Sequence, residues 1–248
     1  MIRIFVPPDA IVGPRLTLQG IDARHLGGSL RIRSNEEFIA VTGDGVEHRC
    51  LVLSANARRV EATVVDSSPA LGEASIDVRV CVGLLKGDQL DRIVEYCSEV
   101  GVEGIQPLET ERTIPQLSTG KVLNRMRRWT EISRYAAELA QRGRLPKVLL
   151  PAPPLEAAAD ARAAGMQTVV LYEGRGLPSL SDVHIQPGSG VCLLVGPEGG
   201  WSDREISDLD AAGAAPVTLG PRIMRPLPAI LLALGVVYHR AGELSLRN

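Results

Sequence analysis

Residues 193–206 read LLVGPEGGWSDREI. An apolar run, Val191 to Val195, stops at Gly196-Pro197, and two more glycines follow at 199 and 200. Ser202 with Glu205 three residues on is a capping-box pattern, in which each side chain satisfies a backbone N–H left orphaned at a helix start. The spacing predicts a buried strand that empties through a glycine loop into a helix. Loops at the C-terminal ends of strands are where open α/β sheets bind ligands, and glycine lets the backbone approach a ligand without a Cβ in the way. The spacing is neither GxGxxG nor a Walker loop, so neither phosphate-binding fingerprint applies. Taken alone, such a loop serves as often for plain connection as for binding.

A second loop of the same kind lies downstream. PVTL (216–219) reads as a short strand, GPRIMRPLP (220–228) as a loop, and AILLALGVVY (229–238) as a helix apolar all round, hence buried or at an interface. Two loops, each after a strand and before a helix, can line one pocket between them. The groups there able to do chemistry are Glu198, whose alternative is to cap the next helix, and Arg225, whose alternative is a carboxylate or phosphate partner at the rim.

The elements that must position these loops follow from periodicity. Residues 1–70 alternate as strands, in EFIAVTG (37–43), VEHRCLVLS (46–54) and RRVEATVVD (58–66), with Asp44-Gly45 as a hairpin turn and a short helix near Asp22–Leu30. A small barrel fits this content, and SSPALGE (67–73) reads as a linker. Beyond it the pattern changes. IDVRVCVGLL is a strand, and GDQLDRIVEYCSEVG sets Leu90, Ile93, Val94, Cys97 and Val100 on one helical face, with Gly101 as the stop. GIQPL is a strand. Residues 119–141 form a long helix with the stripe Val122, Met126, Trp129, Ile132, Ala136 and Leu139. KVLL, LEAAADARAA and TVVLYE continue the alternation. Strands alternating with helices imply a parallel sheet covered on both faces.

Composition narrows the partners. The chain has 248 residues, a net charge of −2 and 3% aromatics. That argues against indiscriminate nucleic-acid binding and against a stacking platform of Phe and Tyr. Any RNA contact rests on local arginine clusters: Arg24, Arg31, Arg33, Arg58 and Arg59 early on, then Arg112, Arg142 and Arg144, with Lys86 before a helix. Arg142 and Arg144 also stand at a helix end, where the dipole favours cations. Cys50, Cys81, Cys97 and Cys192 show no CxxC or zinc spacing and read as free thiols of a reducing cytoplasm, the last three in apolar runs. No metal cluster, signal peptide or membrane-length apolar run is present in the sequence.

LLVGPEGGWSDREI followed by LGPRIMR resembles the RsmE family of 16S ribosomal RNA (uracil-N3) methyltransferases, of the SPOUT superfamily. HLGGSLRIR (25–33), GDG (43–45), LLKGDQLDRIVEYCSEVGVEGIQPLETERT (84–113) and AAELAQRGRLP (136–146) extend the resemblance over nearly the whole chain. It implies a PUA-like RNA-binding β-barrel over 1–70 and a trefoil-knotted methyltransferase domain over 73–248. The activity implied is methylation of N3 of uracil 1498, in the decoding region of 16S rRNA of the small ribosomal subunit. The enzyme would be a cytoplasmic homodimer using S-adenosylmethionine and no metal. By motif match the cofactor falls to Leu194, Val195, Gly196, Pro197, Glu198, Gly199, Gly200, Leu219, Gly220, Ile223 and Met224. Catalysis falls to Arg225 and Glu198, and RNA binding to Arg24, Arg31, Arg33, Lys86, Arg112, Arg142 and Arg144. Two departures stand out: Pro226-Leu227-Pro228 where family members carry Thr/Ser and Glu-Thr, and Leu139 where they carry glutamine. The competing readings are a knotted methyltransferase acting elsewhere, such as a ribose 2′-oxygen, and a non-catalytic RNA-binding assembly factor.

Overall fold

A computed structural model describes residues 1–113, 119–186 and 188–245. The chain divides into two compact units, one of Met1–Glu73 with Ala137–Leu145, the other of Ala74–Ala136 with residues from Pro146 onward.

The first unit is built on six strands: β1 (Ile2–Phe5), β2 (Ile11–Val12), β3 (Arg15–Gln19), β4 (Glu37–Val41), β5 (Val46–Ala55) and β6 (Arg59–Pro69). Their order is β1-β4-β5-β6-β3-β2, with β1 parallel to β4 and every other pair antiparallel. Period-two patterning sends Phe38, Ala40, Cys50, Val52, Val60 and Ala62 inward. The helix α1 (Gly20–Ala23) runs into a π-helical turn at Arg24–Ser29, where the sequence predicts a short helix. Ser67–Pro69, read as linker, instead pair with Val46–Glu47–His48 as the end of β6. Their polar composition reflects an exposed strand end. The return of Ala137–Leu145 gives this unit an ion pair that sequence distance hides. Glu73 accepts from Arg142 Nη2 at 3.0 Å and from the backbone N–H groups of Gly143 and Arg144, each at 2.8 Å.

The second unit follows strand with helix: β7 (Val78–Gly83), α2 (Gln89–Val100), β8 (Gly104–Leu108), α3 (Thr119–Leu139), β9 (Lys147–Val148), α4 (Pro154–Ala163), β10 (Met166–Leu171), β11 (Gly190–Val195), α5 (Asp203–Ala211), β12 (Ala215–Val217) and α6 (Pro226–Arg240). The sheet is parallel throughout, in the order β12-β10-β11-β7-β8-β9. Both faces are buried, so its strands are continuous apolar runs. Val78, Val80, Val82, Val191, Leu193 and Val195 pack with Leu90, Ile93, Trp129, Ile230 and Leu234. Cys81, Val170, Cys192 and Leu194 face the other way, onto Ala157, Ala161 and Leu209.

Helix α2 stops at Gly101, φ 110°, as its sequence predicts. Its inward face is Leu90, Ile93, Val94, Cys97 and Ser98, whereas Val100 is exposed. Leu139 is exposed as well, one turn past the buried Trp129, Ser133, Ala136 and Ala137. Helix α6 starts at Pro226, inside the segment read as loop. A proline in the first turn gives up an N–H that has no intrahelical partner anyway, and its fixed φ suits the helix.

Candidate functional site

Two loops of the second unit meet at a cavity of about 580 Å3, within the ~300–1,000 Å3 typical of small-molecule sites. The first loop, Gly196–Trp201, leaves β11 and enters α5. Gly200 N–H donates to Pro197 O at 2.9 Å, closing a tight turn, and Gly200 takes a φ of 68° that other residues avoid. Ser202 Oγ accepts from Glu205 N–H at 3.1 Å while Glu205 Oε2 accepts from Ser202 N–H at 2.9 Å, the full capping box its sequence announces. Glu205 Oε1 reaches further, to Glu111 N–H at 2.9 Å. Trp201 closes the loop from beneath by donating its Nε1–H to Leu171 O at 3.1 Å. The second loop, Thr218–Arg225, follows β12. Thr218 Oγ1 and the Gly220 peptide bind each other at 3.2 Å, and Arg225 occupies the N-cap of α6.

Of the expected cofactor residues, Val195, Gly196, Pro197, Glu198, Gly200, Leu219, Gly220, Ile223 and Met224 line this cavity, together with Arg225. Two do not. Leu194 points away, fully buried among Cys81, Val170 and Trp201; adjacent strand residues face opposite sides, so Val195 and Leu194 cannot both meet one pocket. Gly199 is absent from the lining, and the space where its Cβ would be belongs to Arg112, whose Cβ is 3.3 Å away.

Glu198 is not a cap on α5. Its Oε1 accepts from Lys86 N–H at 3.1 Å and from Gln89 Nε2 at 2.8 Å, tying the first loop to the start of α2. The loop also meets the end of β7, where Gly83 lies against Pro197.

Sequence reasoning missed Gln89, Tyr172, Glu173 and Thr218 in the wall. Tyr172 and Glu173 directly follow β10 in the parallel sheet, which is itself the signal for a ligand-side position. Burial raises the Tyr172 phenol above its ordinary value, and the Asp203 and Glu173 carboxylates add to this, so it stays protonated at neutral pH.

The residues expected to bind RNA are dispersed. Arg24, Arg31 and Arg33 are exposed in the first unit, Arg31 at a positive φ of 54°. Arg144 is exposed there too. Arg142 is the correction: its side chain is 3% exposed and paired with Glu73, so it offers RNA no surface and instead holds the first unit together. Lys86 is exposed beside Glu198. Arg112 is exposed and its Nη1 donates to Gly199 O at 3.0 Å. Among the described residues, no group of His, Cys, Asp and Glu could hold a metal ion, and no helix is long and apolar enough to cross a membrane.

Leu171, Val195, Leu219, Met224 and Ala229 give the cavity an apolar lining, and the peptides of two glycine loops give it a polar rim. That combination suits a ligand with a flat apolar base and a polar chain.

The family model for an RNA methyltransferase domain matches residues 72–238. The ribosomal RNA small subunit methyltransferase E of Synechocystis is 31% identical over 241 residues, 95% of this chain and 76% of that one. Its counterpart in Bacillus subtilis is 27% identical over 233 residues, 92% of this chain and 91% of that one. The crystal structure of the enzyme of that name from Neisseria gonorrhoeae, bound to S-adenosyl methionine, superposes with a TM-score of 0.87 at 30% identity, covering 97% of this chain and 98% of that one. A Legionella pneumophila methyltransferase with bound SAM gives 0.85 at 27% identity, over 96% and 97%. The chain belongs to the ribosomal RNA small subunit methyltransferase E family.

Proposed function

We propose that this protein methylates N3 of one uridine in the decoding region of 16S rRNA, within the small ribosomal subunit, with S-adenosylmethionine as its cofactor. The observation that carries the reading is the cavity at the C-terminal ends of β10, β11 and β12, walled by the two glycine loops with Arg225 at its edge. Bound there, S-adenosylmethionine supplies a methyl group on a positively charged sulfur that departs as a neutral thioether. Val195–Glu198, Gly200, Leu219, Gly220, Ile223 and Met224 hold it through backbone groups and apolar side chains. Holding two reactants in line is worth ~7–11 kcal/mol of a barrier. N3 of uracil has no lone pair to offer until its proton leaves, and Arg225 stabilises the anion so formed.

Pro226 and Pro228 bring no hydroxyl or carboxylate to the site, so turnover would proceed without one. They build the first turn of α6, where a helix tolerates proline, and Arg225 still stands at the cavity edge. The reading carries with it a PUA-like barrel and RNA grip for the first unit, a trefoil threading of the C-terminal loops, and a cytoplasmic homodimer. Leu232, 41% exposed on the otherwise apolar α6, supports a second copy on that face.

The test is to incubate the protein with labelled S-adenosylmethionine and small subunits lacking the modification, then to digest the RNA and identify the labelled nucleoside. Label in 3-methyluridine is expected. Label in a 2′-O-methyl nucleoside keeps the fold and overturns the substrate atom. No label from a folded protein and competent subunits leaves a non-catalytic RNA-binding factor.

A further inference from the structure

Glu173 follows the end of β10 by two residues, as Pro197 follows the end of β11, and the two strands are hydrogen-bonded neighbours with Leu171 opposite Val195. The carboxylate is part of the cavity wall. Its Oε1 lies over the bare Cα of Gly200, 3.1 Å from where a Cβ would stand. One strand thus supplies the first glycine loop, and the strand beside it supplies a carboxylate to the same wall.

Glu173 is also the acceptor that the fold leaves uncommitted. Its side chain makes no hydrogen bond or ion pair among the described residues. Glu198 spends Oε1 on Lys86 N–H and Gln89 Nε2. Thr218 Oγ1 is bound to the Gly220 peptide, and the Tyr172 phenol donates to Asp203 at 3.5 Å. Arg222 and Arg225, also in the wall, carry donors and no acceptor. A ligand that brings hydroxyl groups into this cavity therefore meets Glu173. A carboxylate has two acceptor oxygens, enough for two adjacent hydroxyls at once.

S-adenosylmethionine carries one such pair, the 2′- and 3′-hydroxyls of its ribose. Open sheets that bind dinucleotides divide their ligand in the same way: a glycine loop after one strand, and after its neighbour an acidic residue that takes a ribose hydroxyl. The glycine spacing here is different, but the placement is alike. Neighbouring strands lie about 4.8 Å apart, close enough for one sugar to touch both.

We infer that Glu173 accepts hydrogen bonds from the ribose hydroxyls of S-adenosylmethionine, and so makes the pocket selective for the ribo form of its cofactor. This rests on the cofactor in the reading above and not on which RNA atom is methylated. Methyl transfer leaves the ribose untouched, so the contact is the same before and after reaction. It sets affinity for cofactor and for demethylated product alike, and does not set the rate of the chemical step.

The experiment is calorimetric titration of the full chain with S-adenosylhomocysteine, its 2′-deoxy and 3′-deoxy forms, and 5′-methylthioadenosine, which keeps the ribose but lacks the amino-acid end. Glu173→Ala is expected to weaken S-adenosylhomocysteine and methylthioadenosine by the same factor, on the order of tenfold to a hundredfold for hydrogen bonds to a charged group. Removing a hydroxyl from the ligand should cost the parent about tenfold or more for at least one deoxy form. In Glu173→Ala that penalty should vanish, because its partner is gone. Glu173 is exposed, so the variant should melt with the parent. Deoxy penalties as large in the variant as in the parent overturn the inference. So does a loss for S-adenosylhomocysteine with none for methylthioadenosine, which moves Glu173 to the cofactor's ammonium. An unchanged affinity for S-adenosylhomocysteine overturns it too and leaves a solvated carboxylate. If the parent binds none of these ligands, the cofactor reading falls and this inference with it, whereas absence of 3-methyluridine in the RNA assay overturns the target and not this contact.

Discussion

The bare Cα of Gly83 is pressed against Pro197: a Cβ built there would stand 2.6 Å from the Pro197 backbone nitrogen and 2.7 Å from its Cδ. The end of β7 and the first glycine loop thus share a contact with no slack, and both neighbouring atoms belong to a rigid ring. Gly83→Ala must displace the loop. The expected cost is about 1–3 kcal/mol of stability, the usual range for overpacking, with loss of cofactor affinity beside it. Urea denaturation and calorimetry with S-adenosylhomocysteine measure the two. An unchanged midpoint and affinity would show that the loop yields freely.

Glu198 and Gln89 make a second tie, from the same loop to the start of α2. Gln89→Ala removes the 2.8 Å hydrogen bond to Glu198 Oε1 but leaves the one from Lys86 N–H. A net loss of about 0.5–1.5 kcal/mol is expected as a roughly two- to thirteenfold weaker cofactor affinity, with the fold intact by circular dichroism.

Glu205 serves two backbone N–H groups, on Ser202 and Glu111. It is 9% exposed, so Glu205→Ala strands both donors in a place water reaches poorly. Stability should fall by about 2 kcal/mol, the upper end for a lost cap, and Glu205→Gln, with one acceptor oxygen for two donors, should recover only part of it. A thermal melt of the two variants decides.

Arg142 and Glu73 are 3% and 14% exposed as side chains. Breaking a buried pair by removing one partner costs about 3–5 kcal/mol, and Glu73 also binds the Gly143 and Arg144 peptides. Glu73→Ala should therefore unfold the first unit at lower urea than the parent. An unchanged urea midpoint would mean that water replaces the carboxylate without loss.

All four thiols are buried. Burial pushes Cys50 up to about 11. Burial raises Cys97 too, while Cys81 is raised first by its hydrogen bond with Cys192 at 3.5 Å and then by burial. A thiol raised in the fold keeps its proton at a pH where the unfolded chain has already lost it. The stability this gives is complete below about pH 9 and, for Cys50, is lost as pH rises to about 11. Native protein at pH 7.5 should give almost no reaction with an aromatic disulfide reagent over minutes, and four thiols once denatured. A fast native reaction would place at least one sulfur at the surface.

The strand–loop–helix passages were legible because period and punctuation agree: Val191–Val195 against Gly196-Pro197, then Ser202 with Glu205. The sheet was legible for the same reason, as runs buried on both faces. What stayed hidden has physical causes. Prolines 226 and 228 look like loop residues, since nothing local tells a helix's first turn from a turn before it. Ser67–Pro69 is polar because β6 ends in solvent, and polarity imitates a linker. Leu139 and Val100 continue a helical stripe past the point where the core ends. Arg142 and Arg112 look alike as cations near RNA-binding candidates, yet one is clamped by Glu73 and the other by Gly199. Both partners are tens of residues away, beyond any local pattern.

The cavity wall takes Gln89 from α2, Tyr172 from the end of β10, Glu198 from one glycine loop, Leu219 from the other and Ala229 from α6. These segments span most of the second unit, and non-local pairings of this kind close late and slowly during folding. A chain released before α6 has docked lacks one side of the pocket, so a partly folded molecule has nothing with which to bind the cofactor. A ligand that binds only the finished state stabilises it by mass action. Bound cofactor would thereby favour the state in which α6 is docked.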